Sequence, residues 1–296
     1  MTYTLYLGDR AYSSWSLRAW LIAEMAGKPA SYRWVDFSGA DVRTQLSHVA
    51  PARTVPTLVT PEGAIVSESL AIAEELASRF PEAGLWPEDP AARAIGRTLA
   101  AEMNTSFAAL RDACPMNLRV AYSSYQPTAE VLEDLSRIET IWSAAQDATG
   151  GPWLCGAYSI ADAFYAPVAM RIAGYGLPVG PKAQDYVTAH LAHLPFRQWR
   201  AMALAEGTEL QRYKRDYETR AWPGPEPAPA EATEDGAGAC NTRCPYSGEP
   251  VTHFLRFANT TYGFCNAFCR DKTVNDPEAW PAFTALLAAQ AAPPTS

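Results

Sequence analysis

Tyr12-Ser13-Ser14-Trp15-Ser16-Leu17-Arg18-Ala19-Trp20 is the stretch on which the reading of this chain turns. It follows a short apolar run, Tyr3 to Leu7, that reads as a strand, and it opens a helical pattern reaching about Ala26. The first backbone N–H groups of a helix have no partner within the helix, and the helix dipole favours negative charge there. A strand, a short loop and a helix start carrying three serine hydroxyls therefore form a candidate anion site, each hydroxyl adding a movable donor. The same serines equally suit plain N-capping.

Outward from this stretch, residues 1–82 alternate between the two periodicities. Tyr32–Asp36 reads as a strand and Asp41–His48 as a short helix. Thr57–Val59 and Ala64–Val66 read as two short strands joined by the turn Pro61-Glu62-Gly63. Ile72, Leu76 and Phe80 then recur at helical spacing before Pro81 stops the run. The order β-α-β-α-β-β-α predicts a small α/β domain with a mixed sheet, which suits a thioredoxin-like fold.

From about residue 90 to 217 the strand signals vanish, and alanine, leucine and paired charges predict an all-helical domain. Its helices are expected at Ala91–Arg111, Ala129–Ala148, Ala161–Ala173, Pro181–Leu191 and Pro195–Glu206. Ser159-Ile160-Ala161-Asp162 is a variant of the capping box. Residues 222–239 hold four prolines, three glycines, five alanines and four acids with no Lys or Arg, a composition that predicts a linker. Residues 240–296 form a separate short module.

Hydrophobic residues make up 48% of the 296 and charged residues 19%, enough for a sizeable core. The net charge of −8 argues against a nucleic-acid binder, which needs a basic face. No apolar run is long enough to span a bilayer, and no basic amphipathic stretch suggests a membrane surface. The first ten residues are too polar for a secretory leader, so the expected location is cytoplasmic. In that compartment clustered cysteines serve as metal ligands more often than as disulfides. Cys240, Cys244, Cys265 and Cys269 are such a cluster, spaced x3, twenty residues, x3, which fits tetrahedral zinc thiolate ligation. Cys114 and Cys155 stand alone and read as buried small hydrophobes.

Four features together resemble a bacterial glutathione S-transferase of the serine type. They are the Tyr12–Trp20 stretch, Val55-Pro56 before a strand, the helix start Glu68-Ser69-Leu70-Ala71-Ile72, and the Ser159–Asp162 box. The Ser-Ser-x-Ser core is also similar to the zeta class, the maleylacetoacetate isomerases, although Trp15 stands where those enzymes usually carry a cysteine. The resemblance covers about residues 1–210. It implies a thioredoxin-like domain followed by an all-helical one, glutathione as co-substrate, a small electrophile as second substrate, and a homodimer. It also implies roles. Ser13, with Ser14 as second candidate, would stabilise the thiolate, and Val55 would pair its backbone with the cysteinyl part beside Pro56. Ser69 would hold the γ-glutamyl carboxylate and Glu68 the ammonium; Ala52-Arg53-Thr54 departs from the family's usual approach to Val-Pro, so Arg53 either takes over the glycyl-carboxylate contact or is solvated. Free thiols ionise with a pKa of about 8.5, so lowering it by two units takes about 2.7 kcal/mol, within reach of a hydroxyl and a helix N-terminus. Tyr12, Trp15, Met103, Phe107 and Arg111 are candidates for the second-substrate site. Met103, Phe107 and Arg111 would share one helix face at i, i+4, i+8.

Cys244-Pro245-Tyr246-Ser247-Gly248-Glu249-Pro250-Val251 and Tyr262-Gly263-Phe264-Cys265-Asn266-Ala267-Phe268-Cys269-Arg270-Asp271-Lys272 resemble the YHS/TRASH group of small treble-clef modules. That likeness implies a structural zinc on Cys244, Cys265 and Cys269, with Cys240 or His253 as fourth ligand and Cys240 preferred. Two other functions are consistent with the same residues: a glutathione-dependent cis-trans isomerase, and a non-catalytic scaffold presenting the metal module to an unknown partner.

Overall fold

A computed structural model describes residues 2–28 and 30–291. It divides into two compact units. One comprises the chain up to Ala192 together with Glu209–Gly224; the other comprises His193–Thr208 and the chain from Pro225 onward.

The first unit begins with the α/β domain in the expected order: β1 (Tyr3–Leu7), α1 (Ser14–Ala26), β2 (Ala30–Trp34), α2 (Val42–Gln45), β3 (Thr57–Val59), β4 (Ile65–Ser67) and α3 (Ser69–Arg79). The strands form one sheet in the order β2-β1-β3-β4. α1 crosses over between the parallel pair β1 and β2, and β3 runs antiparallel to both β1 and β4. Leu5 and Leu7 alternate with less buried neighbours, as a strand with one covered face requires. α1 packs against α3. Val35, Leu46, Val49 and Ala52 form a second small cluster, against which Tyr6 and Val55 pack.

The helical part follows: α4 (Pro90–Thr105), α5 (Ala108–Ala113), β5 (Ala121–Tyr122), α6 (Ala129–Thr149), α7 (Ile160–Tyr175) and α8 (Pro181–Ala192). α7 is buried all round and packs on α1, α4 and α8. β5 pairs with β6 (Thr219–Arg220) in the returning segment. The single helix expected over Ala91–Arg111 is in fact two. Phe107 takes a left-handed conformation at φ 62° and starts α5 on a new axis, so Met103, Phe107 and Arg111 do not share one face. Tertiary burial explains the break, since Met103 and Phe107 both enter the core.

The second unit corrects two boundaries. α9 (Leu194–Ala205), expected with the helical domain, packs instead on α10 (Ala267–Asn275). Arg197 grips Asp276 with two hydrogen bonds of 2.7 and 2.9 Å, Gln198 donates to the Ala279 carbonyl at 2.8 Å, and Ala201 joins the core of Leu255, Phe264 and Phe283. The expected linker contains β7 (Ala230–Thr233), which pairs with β8 (His253–Phe257) and so extends the hairpin of β8 and β9 (Thr260–Phe264). The reason is size: a module of fewer than sixty residues cannot bury enough surface alone, and it borrows a helix and a strand from beyond its cysteines. α11 (Pro281–Ala291) completes this unit. No helix among the described residues is long and apolar enough to cross a membrane.

Candidate functional site

The loop after β1 turns sharply at Asp9, whose carbonyl accepts the N–H groups of Tyr12 and Ser13, and delivers Ser13 as the N-cap of α1. Ser13 Oγ accepts the Ser16 N–H at 3.3 Å and donates to Ser16 Oγ at 2.8 Å. Ser14, the first residue of α1, is only half-buried, and its Oγ accepts an N–H from Arg171 at 3.4 Å. Tyr12 is almost fully buried; its ring stacks on Tyr213 with centroids 4.7 Å apart, and its hydroxyl accepts the Leu210 N–H.

These residues line a cleft of about 240 Å³. Tyr12, Ser13, Ser14, Trp15, Val55 and Arg111 all reach it. Val55 precedes Pro56 through a cis peptide bond. Arg53, Pro56, Glu68, Ser69 and Phe107 are not among the lining residues. Phe107 is buried in the core, which removes it from the second-substrate wall, and Arg53 is exposed. A larger hollow of about 450 Å³ lies against Glu74, Trp86, Arg93 and Arg97 and contains none of the expected site residues.

The start of α3 is unusual. Its cap residue Glu68 sits at φ 72° and makes no side-chain capping bond. Ser69 is fully buried, and its Oγ finds no hydrogen-bond partner among the described residues. Four N–H groups at a helix start need partners from outside the helix, and here the cap supplies none.

Sequence reading named Arg111 on the cationic side of the cleft but missed Arg171, which also lines it, and Arg18 buried behind them. Arg171, from the middle of α7, is buried, and burial together with the like charge of Arg111 brings its guanidinium down to about 10. Arg18 lies wholly inside, stacked against Trp15 at 4.4 Å and Phe164 at 4.9 Å. Burial, then the charges of Arg171 and Arg111, hold its guanidinium well below the ordinary range. A signal was available: each is a lone arginine within an apolar stretch of a helix that buries its whole circumference, a place where arginine is rare unless it is partnered.

In the second unit, the sulfurs of Cys244, Cys265 and Cys269 lie within 4.8 Å of one another, and those of Cys265 and Cys269 are 3.8 Å apart. Tetrahedral zinc with bonds of about 2.3 Å places its sulfurs about 3.8 Å apart, so this trio fits the ion. Burial pushes the Cys244 thiol up, but the N–H groups of Cys265, Ser247 and Tyr246 outweigh it and bring it down to about 7. Cys265 Sγ accepts from Ser247 Oγ and Asn266 Nδ2, both at 3.3 Å. Cys240 stands outside the trio, its thiol 3.7 Å from Asn241 Oδ1, and His253 bonds Thr252 Oγ1 instead. The three cysteines that converge are the trio the module resemblance implies; Cys240 lies outside it, its backbone N–H donating to the Thr261 carbonyl at 3.0 Å.

Residues 12–79 match the family described as glutathione S-transferase, N-terminal domain. A probable maleylacetoacetate isomerase of Caenorhabditis elegans is 34% identical over 95 residues, which are 32% of this chain and 43% of that protein. Both matches fall on part of the chain: the family model lies within the α/β domain. The chain spans less than half the length of that curated relative. A glutathione transferase homolog from Burkholderia GL BGR1, solved with bound glutathione, is similar at 27% identity and a TM-score of 0.51, covering 69% of this chain and 98% of that one. Glutathione transferase Omega 2S from Trametes versicolor is similar at 25% identity and a TM-score of 0.52, covering 67% and 93%. The transferase fold thus accounts for the α/β and helical parts.

Proposed function

We propose that this chain is a glutathione S-transferase that activates the glutathione thiolate through a serine hydroxyl at the start of α1. The observation that carries the reading is the convergence of Ser13, Ser14 and Val55 on one cleft beside a helix N-terminus. Val55 offers backbone groups to an extended peptide. The uncapped start of α3, with Glu68 and Ser69, suits the γ-glutamyl end through free N–H groups and a carboxylate. Trp15, Arg111 and Tyr213 leave the remaining wall aromatic and cationic, which favours a small planar or acidic electrophile. Retention on immobilised glutathione together with turnover of a chromogenic electrophile tests the reading. Retention without turnover would leave a non-catalytic scaffold instead.

A second reading, glutathione-dependent isomerisation, is favoured by the name of the Caenorhabditis elegans relative. Turnover of a cis-dicarbonyl acid without consumption of glutathione would select it.

We propose further that Cys244, Cys265 and Cys269 hold a structural zinc ion. The three converging sulfurs and the N–H groups aimed at them support this. Elemental analysis of the full chain should find one zinc. Cys265→Ser should lose it, while Cys240→Ser and His253→Ala identify the fourth ligand by which of them weakens binding.

A further inference from the structure

Ser13 and Ser14 are neighbours in sequence, but their hydroxyl protons have different fates. The Ser13 proton is spent on Ser16 Oγ, a fully buried group behind the cleft that also accepts the Gly8 N–H at 2.8 Å. Ser14 Oγ meets Arg171 Nη2 at 3.4 Å. A hydroxyl has one proton and two acceptor lone pairs. With a guanidinium on one acceptor side, the proton has to point away from Arg171.

Arg171 is built to hold that position. It is 4% exposed, its Nε donates to the Cys114 carbonyl at 2.8 Å and its Nη1 to the Pro167 carbonyl at 3.1 Å. Only Nη2 is left facing Ser14. The charged neighbours of this guanidinium are Arg18 and Arg111, both of like sign, while Asp112 is the one carboxylate among the lining residues of the cleft. Tyr12 and Tyr213 are its phenols. A buried cation without a matching anion is costly, and it is kept where a ligand supplies the missing charge.

We propose, resting on the glutathione reading above, that Ser14 rather than Ser13 donates the hydrogen bond to the thiolate, and that Arg171 is the positioning residue that orients the Ser14 hydroxyl and adds its own charge beside the sulfur. The thiol proton leaves to solvent water; Ser14 keeps its own proton, and no bond to the serine forms. Ser13 is the helix cap.

The test follows the ultraviolet absorbance of bound thiolate against pH in the full chain and in Ser13→Ala, Ser14→Ala, Arg171→Gln and Arg171→Lys. Ser14→Ala and Arg171→Gln should each raise the bound thiol's pKa by about one unit, a tenfold loss of thiolate at fixed pH below it. Arg171→Lys should recover part of that loss, since the charge survives and the fixed fork does not. Ser13→Ala should leave the thiol within about twofold of wild type. Should Arg171→Gln fail to fold, the two serine variants decide, because both leave the guanidinium in place. A silent Ser14→Ala beside a damaging Ser13→Ala overturns the inference and leaves the transferase reading standing. Wild type that binds glutathione with an unshifted thiol overturns it equally. Wild type that binds no glutathione removes both readings.

Discussion

The starts of α7 and α3 carry similar residues in opposite states. At α7, Ser159 and Asp162 form a complete capping box, and Asp162 also accepts from Leu154 N–H at 3.0 Å and from the Tyr186 hydroxyl at 3.0 Å. At α3, Glu68 makes no cap, its backbone is held at φ 72°, and the Ser69 hydroxyl is buried without a partner. One helix start is finished by the chain; the other is left incomplete beside a proposed binding site. The lesson is energetic. Buried polar groups without partners cost stability, and at α3 we propose that the ligand supplies what the chain itself supplies at α7.

The largest expected effect lies at α7. Asp162→Ala should cost at least about 3 kcal/mol in denaturant unfolding, because four donors lose one acceptor, while glutathione affinity of the folded protein stays unchanged. Asp162 also gives a pH test. Burial raises its carboxyl from 3.8 to about 6, so the fold disfavours ionisation. Its contribution is full below the unfolded value and is lost as pH rises through about 6. Wild type should therefore lose up to about 3 kcal/mol relative to Asp162→Asn between pH 4 and 7. An unchanging difference would show that the four hydrogen bonds hold the carboxylate ionised throughout.

At α3 the effect should fall on binding. Ser69→Ala should weaken glutathione by about 1–3 kcal/mol by calorimetry while leaving the unfolding midpoint the same or higher. A drop in stability with unchanged affinity would make α3 an ordinary helix start like α7. Ser13→Ala, at the third serine start, should cost about 1 kcal/mol of stability as a lost cap. Smallest of all, Glu68→Gly should raise stability by less than about 1 kcal/mol through relief of the positive φ. It should also weaken glutathione binding by removing the carboxylate, which separates strain from function at one residue.

The order of strands and helices up to Arg79 was legible because each element there is set by its own periodicity and its own turn chemistry, as at Pro61-Glu62-Gly63. The break at Phe107 was not. The stretch from Ala91 to Arg111 is helical by propensity throughout, and only the burial of Met103 and Phe107 bends it in two. The composition of residues 222–239 predicts a linker, yet Ala230–Thr233 forms a strand, because an edge pairing with β8 overrides weak local preference. At the site, Ser13, Ser14 and Val55 could be named from motifs, and Arg111 was named from a helix face that the break at Phe107 removes. Arg171, Tyr213 and Phe37 arrive in the cleft from distant segments that carry no motif.

By itself the sequence determined the local pieces of this protein: the strand-loop-helix start at Tyr12–Trp20, the capping box at Ser159–Asp162, and the paired cysteines near its end. Those features act over a few residues, where backbone geometry and side-chain reach fix the outcome. The tertiary structure alone decided which polar atoms are left without partners and which arginines crowd beside Ser14. Each of these depends on residues far apart in the chain meeting in a packed interior, where desolvation makes every pairing or missing partner count.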